Sequence, residues 1–383
     1  MHNITALLNA RLILGDEIVD DKILLFDTKI IDIVDDIMLS NSDEIEIIDA
    51  KGAYVSAGFI DLHIHGSGGA DVMDATHQAL EILSTTLLQT GTTSFLATTM
   101  TMSTQAIDNA LQNIQNYSSK VTGANIIGIH LEGPFINVSK HGAQDKNYVQ
   151  TPNFELIKNY MSEVKMITLA PEVEGAEDFV KQMTKMYPHI ILSIGHSDTS
   201  YDKALESFTW GISHVTHLFN AMPSYHHRKP GLVGAVFDSD VSCDIIADLV
   251  HTHPSTLSLT HKLKGDKLIL ITDAMRAGCM KCGSYDLGGR KVEVSEGKAL
   301  LEDGTLAGSV LKMNEALLNM SKHTDMHLIE LVNAVTSIPA KRLDIKKGEL
   351  KIGYDADIVV FDENFSIIST IINGEVKYTC SDF

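Results

Sequence analysis

Histidines and carboxylates follow apolar runs at several places in this sequence, and these residues could do chemistry. The run "GFIDLHIHG" ends in two histidines one residue apart, His63 and His65. Residues i and i+2 of a strand face the same side, about 6.6 Å apart along it, so both imidazoles can reach one metal ion. Gly66, Gly68 and Gly69 follow at once and let the chain pass close to such a site. The stretch therefore predicts a metal-binding strand end.

Four further residues of this kind end or follow apolar runs. They are Glu132 in "HLEGPF", His196 in "GHSDTS", His217 in "SHVTHLFNAM" and Asp273 in "ITDAM". Each of them alone has an ordinary explanation, such as a salt-bridged carboxylate or a helix N-cap. His214 lies three residues before His217, so strand alternation predicts that it packs on the opposite face. His130 shares the face of Glu132, and we expect it to support the ligands from behind.

The elements that must position these residues are short apolar runs that alternate with helix-like segments. The runs are "VSAGFIDLHIH", "SFLAT", "ANIIGIHLE", "KMITLAPE", "HIILSIGHS", "GISHVTHLF", "DIIAD" and "KLILITDA". Alternating strands and helices are typical of parallel βαβ units, and eight such units predict an α/β fold, a closed (β/α)8 TIM-like barrel. All strands of that barrel end on one face, so the polar strand ends should converge there.

Both chain ends read instead as short strands with turns, including an Asn-Gly turn at Asn373-Gly374. We expect residues 1–52 and 350–383 to pair into one small sheet domain beside the barrel. The catalytic barrel would then span residues 53–349. A chain of 383 residues with 44% hydrophobic and 21% charged residues can bury a core of this size.

The net charge and the cysteine content restrict which partners and which compartment we expect for this protein. The net charge of -20 repels nucleic acid and anionic membranes, so we expect neither as a partner. No apolar run reaches the roughly 18 residues that span a bilayer, and the N-terminus does not read as a signal peptide. Cys279 and Cys282 form a CxxC without a second pair. These features predict a reducing, cytoplasmic setting.

Several motifs of the sequence, taken in order, resemble those of a known family. "GFIDLHIHG", "HLEGPF", "GHS", "THLFNAM", "KPGLVGA", "TDAM", "GTLAGS" and "YDADIVVFD" occur in this order along nearly the whole chain. They are similar to motifs of the N-acetylglucosamine-6-phosphate deacetylases, of the amidohydrolase superfamily. The resemblance implies a metal-bearing barrel with a β-sandwich, a homodimer, and hydrolysis of the acetamide of N-acetyl-D-glucosamine 6-phosphate in amino-sugar catabolism.

The resemblance also implies roles for single residues. Glu132, His196 and His217 match the ligands of the main metal, and His63 and His65 match ligands of a second ion that only some relatives hold. One or two divalent ions per subunit are therefore expected. Carboxylate and imidazole ligands without thiolate suit Zn²⁺ or Fe²⁺.

The resemblance further assigns Asp273 as the catalytic acid and base. It implies five substrate-binding residues, namely Gln144, Asn220, Ala221, His251 and Arg228. Arg228, in "SYHHRKPG", would reach the phosphate in the partner subunit's site. Leu249 departs from the family, which has a glycine where this chain reads "IADL".

Two other functions remain open at the sequence level. The chain could be another amidohydrolase acting on a cyclic or N-acyl amide. Such enzymes usually bridge two metals with a carboxylated lysine on a middle strand, and the run "KMITLAPE" ends without one. A non-catalytic, phosphosugar-binding relic is the second alternative, although every residue of the expected machinery is present.

Overall fold

A barrel of eight parallel strands forms the centre of the protein. In the computed structural model, which describes residues 4–35 and 45–381, they are β1 Phe59–Ile64, β2 Thr92–Thr98, β3 Asn125–Glu132, β4 Val164–Leu169, β5 Ile191–Ile194, β6 His214–Val215, β7 Ser242–Ile246 and β8 Leu268–Ile271. Successive strands pair in parallel from β1 to β8. Each strand overlaps one of the eight apolar runs, so the predicted barrel is confirmed. The strands are almost wholly buried because helices cover them outside.

The seam between β8 and β1 closes through a few specific contacts. The backbone N–H of Asp273 donates to the carbonyl of His63 at 2.9 Å. The fully buried carboxylate of Asp61 accepts from the Thr272 hydroxyl at 2.5 Å and from the His63 N–H at 3.1 Å. Burial raises the pKa of Asp61 to about 7, although these hydrogen bonds oppose the shift. Closure therefore places His63, at the end of β1, and His65, just after it, beside Asp273.

Nine α-helices occur in the described residues. They are α1 His77–Leu87, α2 Thr104–Tyr117, α3 Ala176–Met186, α4 Tyr201–Trp210, α5 Gly231–Phe237, α6 Pro254–Lys264, α7 Met313–His323, α8 Leu328–Asn333 and α9 Ser337–Arg342. The hydroxyls of Thr76, Ser103 and Ser200 cap α1, α2 and α4 by accepting a backbone N–H of the first turn. None of the described helices combines the length and the apolar character that crossing a membrane requires.

Short 3-10 helices replace the expected α-helix between β3 and β4. These are Val138–Lys140, Lys146–Tyr148, Phe154–Leu156 and Lys158–Tyr160; the others in the described chain are Val72–Asp74, Leu88–Thr90, Ser118–Lys120 and Gly265–Lys267. The segment that carries Gln144 is therefore a loop over the barrel mouth rather than a helix on the outside.

Strands from both chain ends build a second layer, as predicted. A four-stranded sheet has the order Ile30–Asp35, Lys22–Phe26, Ile4–Leu8 and Ile45–Asp49. A six-stranded sheet has the order Glu375–Thr379, Ile367–Ile372, Ile358–Phe361, Tyr54–Ala57, Arg11–Leu14 and Glu17–Val19. Leu24 and Phe26 of the first sheet share a buried cluster with Val55 and Ile358 of the second. The β-sandwich from both chain ends is confirmed.

The residue limits of the two domains stay a prediction. The strand Tyr54–Ala57, which the prediction assigned to the barrel segment, pairs within the six-stranded sheet. Residues 1–3, 36–44 and 382–383 of the predicted small domain lie outside the described residues.

Two small antiparallel sheets border the barrel mouth. Gly66–Ser67 pairs with Ala70–Asp71, and a three-stranded sheet of Gly283–Leu287, Arg290–Ser295 and Lys298–Leu301 follows β8. The sequence analysis did not predict the three-stranded sheet. Leu287 packs in one cluster with Met100 and Met275, which attaches the sheet above the strand ends.

Candidate active site

The barrel mouth brings together all six residues that the sequence predicted as metal ligands or as the acid and base. They are His63, His65, Glu132, His196, His217 and Asp273. Glu132 lies at the centre of the group. Its Oε1 is 3.1 Å from His196 Nε2 and 3.0 Å from His217 Nε2, and its Oε2 is 3.2 Å from His65 Nε2. Two candidate metal-binding groups result, one with His63 and His65 and one with His196 and His217, and both include Glu132.

The imidazole nitrogens are arranged as a cation site requires. The Nδ1 atom of His196 is 2.9 Å from the carbonyl of Lys140, which can only accept, so Nδ1 carries the proton. In the neutral tautomer with this proton, the Nε2 lone pair points to Glu132. His217 Nε2 is only 3.2 Å from His196 Nε2. Lone pairs and a carboxylate at such short range repel one another unless a cation or a proton lies among them.

The pKa shifts within the cluster also indicate that positive charge belongs between these residues. Burial lowers the pKa of His65, but the carboxylates of Asp273 and Glu132 outweigh burial and hold it well above its ordinary value. Burial raises the pKa of Asp273, but His63 and His65 outweigh burial and lower it to about 2. The carboxylates thus stay ionised and favour positive charge between them, which a divalent ion supplies.

Asp273 lies against the His63–His65 half of the cluster. Its Oδ1 is 3.4 Å from Nε2 of His63 and 3.4 Å from Nε2 of His65. Behind this half, Nδ1 of His130 donates to the carbonyl of Leu62 at 3.0 Å, and Nε2 accepts from the Thr168 hydroxyl at 2.7 Å. Burial and the neighbouring His63 hold the pKa of His130 well below its ordinary value. A neutral His130 therefore supports the cluster from behind.

Three of the cluster residues have a left-handed backbone. The φ angles are 48° at His196, 36° at His217 and 48° at Asp273. Such a conformation in a non-glycine residue costs about 1–3 kcal/mol and is concentrated at functional sites. Here each strand has just ended, and the left-handed turn directs the side chain into the barrel mouth. The surrounding hydrogen bonds must hold this backbone in place.

Asp244 supplies one of these hydrogen bonds, and the sequence analysis did not identify it. Its fully buried carboxylate on β7 accepts the backbone N–H of His217 and lies 2.9 Å from Nε2 of His214. His214 in turn bonds Ser242 Oγ from Nδ1 at 2.7 Å. His214 thus lies away from the ligands, as strand alternation predicted. A carboxylate within the apolar run "CDIIAD" was the signal that could have identified Asp244.

Four of the five predicted substrate-binding residues line a cavity of about 340 Å³ at the cluster: Gln144, Asn220, Ala221 and His251. Gln144 donates from Nε2 to Glu132 Oε2 at 2.6 Å. Leu287 and residues 304–306, next to the three-stranded sheet, line the same cavity and were not predicted. Arg228 does not line it. It lies in an exposed segment, where its Nη1 is 2.7 Å from His227 Nε2.

The loop before His251 has a left-handed turn at Leu249, where the resemblance leads one to expect glycine. Leu249 has a φ of 65°, the left-handed conformation that glycine adopts freely. The Asp248 carboxylate accepts the N–H groups of Val250 and His251 at 2.9 and 2.7 Å and also bonds His251 Nδ1 at 2.7 Å. These bonds orient His251 toward the cavity wall despite the leucine.

Fold and site together define a class of protein. A closed parallel barrel whose strand ends gather four imidazoles and two carboxylates is a TIM-barrel hydrolase with a candidate metal centre.

The comparisons with known proteins identify the family. The sequence profile of the amidohydrolase family matches residues 54–377. An N-acetylglucosamine-6-phosphate deacetylase from Lysinibacillus sphaericus is 41% identical, over 92% of each chain. The crystal structure of the Pasteurella multocida deacetylase has a TM-score of 0.93 and 31% identity, covering 98% of this chain and 100% of that one. The chain belongs to the N-acetylglucosamine-6-phosphate deacetylases of the amidohydrolase family.

A third relative has been crystallised with a ligand. It is a mutant N-acetyl-D-glucosamine-6-phosphate deacetylase from Mycobacterium smegmatis in complex with N-acetyl-D-glucosamine 6-phosphate. It has a TM-score of 0.89 and 26% identity, and the match covers 99% of this chain and 100% of that one.

The role of Asp244 leads to a prediction. Asp244→Ala removes the acceptor of the His217 N–H and should lower the affinity for Zn²⁺ about 10–100-fold, although Asp244 is not a ligand. Equilibrium dialysis against Zn²⁺ measures this affinity. Asp325→Ala is the matched control, since Asp325 is 79% exposed and pairs only with Lys262 at the surface. Wild-type Zn²⁺ affinity in Asp244→Ala would contradict the role.

Proposed function

We propose that this protein hydrolyses the acetamide of N-acetyl-D-glucosamine 6-phosphate, giving D-glucosamine 6-phosphate and acetate in amino-sugar catabolism. The observation that carries the proposal is the convergence of Asp273 with the two histidine pairs around Glu132, in a chain of this family. The other amidohydrolases are not favoured, because relatives that are 41% identical are named N-acetylglucosamine-6-phosphate deacetylases. The non-catalytic relic is not favoured, because Asp273 and both histidine pairs are present and lie together around Glu132.

The residues fit a divalent metal, which we propose is Zn²⁺ or Fe²⁺. Glu132, His196 and His217 would hold the first ion, and His63 and His65 with Glu132 would hold a second. When bound, a divalent ion lowers the pKa of water and polarises the amide carbonyl, which addresses the poor nucleophile and the poor electrophile together.

Asp273 would move the proton. Its pKa of about 2 keeps the carboxylate ionised at neutral pH, which is the form that accepts a proton. It would accept the proton of the attacking water as the oxygen bonds to the acetyl carbon. It would then donate that proton to the sugar nitrogen as the C–N bond breaks. The water oxygen leaves in acetate, and the nitrogen leaves as the amine of the sugar.

The substrate would be oriented by the cavity walls and by a second subunit. Asn220, Ala221, Gln144 and His251 line the cavity and would contact the sugar phosphate. A net charge of -20 does not attract a dianion, so a local cation is needed. Arg228 would supply it from the partner subunit of a homodimer, which its exposed position outside this chain's own cavity allows. A planar guanidinium can bind two phosphate oxygens at once.

We also propose that the reaction takes place in the cytoplasm. The thiols of all four cysteines are free, which suits a reducing compartment.

Acetate release tests the proposed function directly. We expect turnover of N-acetylglucosamine 6-phosphate, none of the unphosphorylated sugar, and loss of turnover with a chelator that returns when Zn²⁺ or Fe²⁺ is added. Equal turnover of both sugars would contradict the phosphate pocket. No turnover with metal present would contradict the deacetylase activity itself.

The role of Asp273 is tested by Asp273→Asn, which removes the proton acceptor but keeps the shape. We expect kcat to fall by roughly 10²–10⁴-fold while the bound metal per subunit is unchanged. Kinetics and metal analysis on the same sample measure both quantities. A near-normal kcat would exclude Asp273 as the acid and base.

The role of Arg228 is tested by Arg228→Ala, which should mainly raise KM for the phosphorylated sugar, with Lys229→Ala as the neighbouring control. The subunit that supplies Arg228 is identified by co-expressing Arg228→Ala with Asp273→Asn. If Arg228 acts across the dimer, one site of the mixed dimer has both residues intact, and low-KM activity returns. Unchanged KM in Arg228→Ala, or no recovery in the mixed dimer, would contradict this role.

A further inference from the structure

The first two strands of the three-stranded sheet form a hairpin whose turn lies at the edge of the candidate active site. Leu287 pairs with Arg290 across a turn of two glycines. The φ angles of Gly288 and Gly289 are 59° and 83°, as a two-residue turn of this kind requires. Directly paired residues of antiparallel strands have their side chains on the same face. Leu287 is buried and lines the active-site cavity, so Arg290 is directed toward the same side.

Arg290 contacts two segments of the cavity rim. Its Nη1 donates to the backbone carbonyl of Ala143 at 3.2 Å. Its Nη2 is 3.9 Å from Oδ2 of Asp303, which directly precedes the cavity-lining residues 304–306. Ala143 lines the cavity too, and it packs against the apolar cluster that contains Leu287. One guanidinium therefore connects the hairpin with both rim segments.

The loop that Arg290 contacts carries a side chain into the metal-ligand cluster. Gln144 accepts the backbone N–H of Thr101 on Oε1 at 2.5 Å and donates from Nε2 to Glu132 Oε2 at 2.6 Å. A Cβ placed on Gly142 would lie 3.6 Å from Cε1 of His196. The loop thus passes directly over the ligands, and a shift of its backbone would displace the Gln144 side chain.

We propose that Arg290 is a positioning residue, which holds the backbone of Ala143 so that Gln144 keeps its place between the cluster and the substrate. This inference rests on the proposed function, in which Gln144 contacts the sugar phosphate. A hydrogen bond from a charged donor is stronger than a neutral one. The Arg290 side chain is 34% exposed, so solvent weakens its contacts and we expect a moderate effect. Its planar fork can serve both rim segments at once, which a lysine cannot do.

Amide hydrogen exchange tests the positioning without any turnover. The Thr101 N–H is held by the Gln144 side chain, so its exchange reports whether that side chain is in place. In the metal-loaded protein, Arg290→Ala should make this N–H exchange at least about threefold faster, measured by mass spectrometry of the peptide around Thr101. Lys291→Ala is the matched control and should leave the exchange unchanged. Lys291 follows Arg290 on the same strand, faces the other side and pairs with Glu293 at 2.8 Å.

Kinetics test whether the positioning matters to the substrate. Arg290→Ala should raise KM for N-acetylglucosamine 6-phosphate about three- to thirtyfold and change kcat less, because Asp273 and the metal ligands are untouched. Arg290→Lys should recover part of the loss, since it keeps a charged donor. Lys291→Ala should have wild-type constants. Thermal unfolding and bound metal per subunit are measured for each variant, so that a loss of fold or of metal is recognised.

A double variant tests whether Arg290 acts through Gln144. If it does, Arg290→Ala should raise KM in the wild-type background but add little in a Gln144→Ala background, because the side chain that it positions is already gone. Independent action would instead multiply the two single effects.

Three results would overturn the proposal. These are unchanged Thr101 exchange in Arg290→Ala, unchanged KM in that variant, or multiplied effects in the double variant. Absence of turnover in the wild type would contradict the deacetylase activity, whereas the exchange measurement would still decide whether Arg290 holds the loop.

Discussion

The structure depends on one buried carboxylate, that of Glu132, placed within about 3 Å of imidazole nitrogens from three different strand ends. Without a cation this arrangement is unstable, because lone pairs and negative charge face one another away from water. A divalent ion turns the repulsion into attraction. The need for a cation at this point explains why histidines and carboxylates stand at or just after the ends of the strands that meet there.

The same constraint explains the support around the ligands. His196, His217 and Asp273 have left-handed backbones, so their conformation has to be imposed by neighbours. Asp244 holds the His217 N–H, and the carbonyl of His63 holds the Asp273 N–H. Asp61 joins β1 to the end of β8 through Thr272. The buried carboxylates of Asp61 and Asp244 thus hold the strand ends that carry the site in place by hydrogen bonds.

In a protein with a net charge of -20, an arginine without an ion-pair partner is unusual. Most of the described ion pairs of lysine and arginine lie at the protein surface, where such pairs add little stability. Arg228 and Arg342 differ from them, and they differ from each other. Arg228 is exposed beside the barrel mouth, whereas Arg342 is half-buried at the other barrel end, in a cavity with both apolar and charged walls.

The sequence by itself determined the eight barrel strands, the β-sandwich from both ends and the six residues of the central cluster. It could do so because apolar runs report buried strands, and a polar residue at the end of such a run stands out. Only the tertiary structure decided that Glu132 is shared by both histidine pairs, that Asp244 holds His217 and that Leu249 keeps a glycine-like conformation. These features depend on distances between segments far apart in the chain, which local patterns do not encode. The three-stranded sheet over the mouth and the cavity at Arg342 were missed for the same reason, since a cavity is a property of packing between elements.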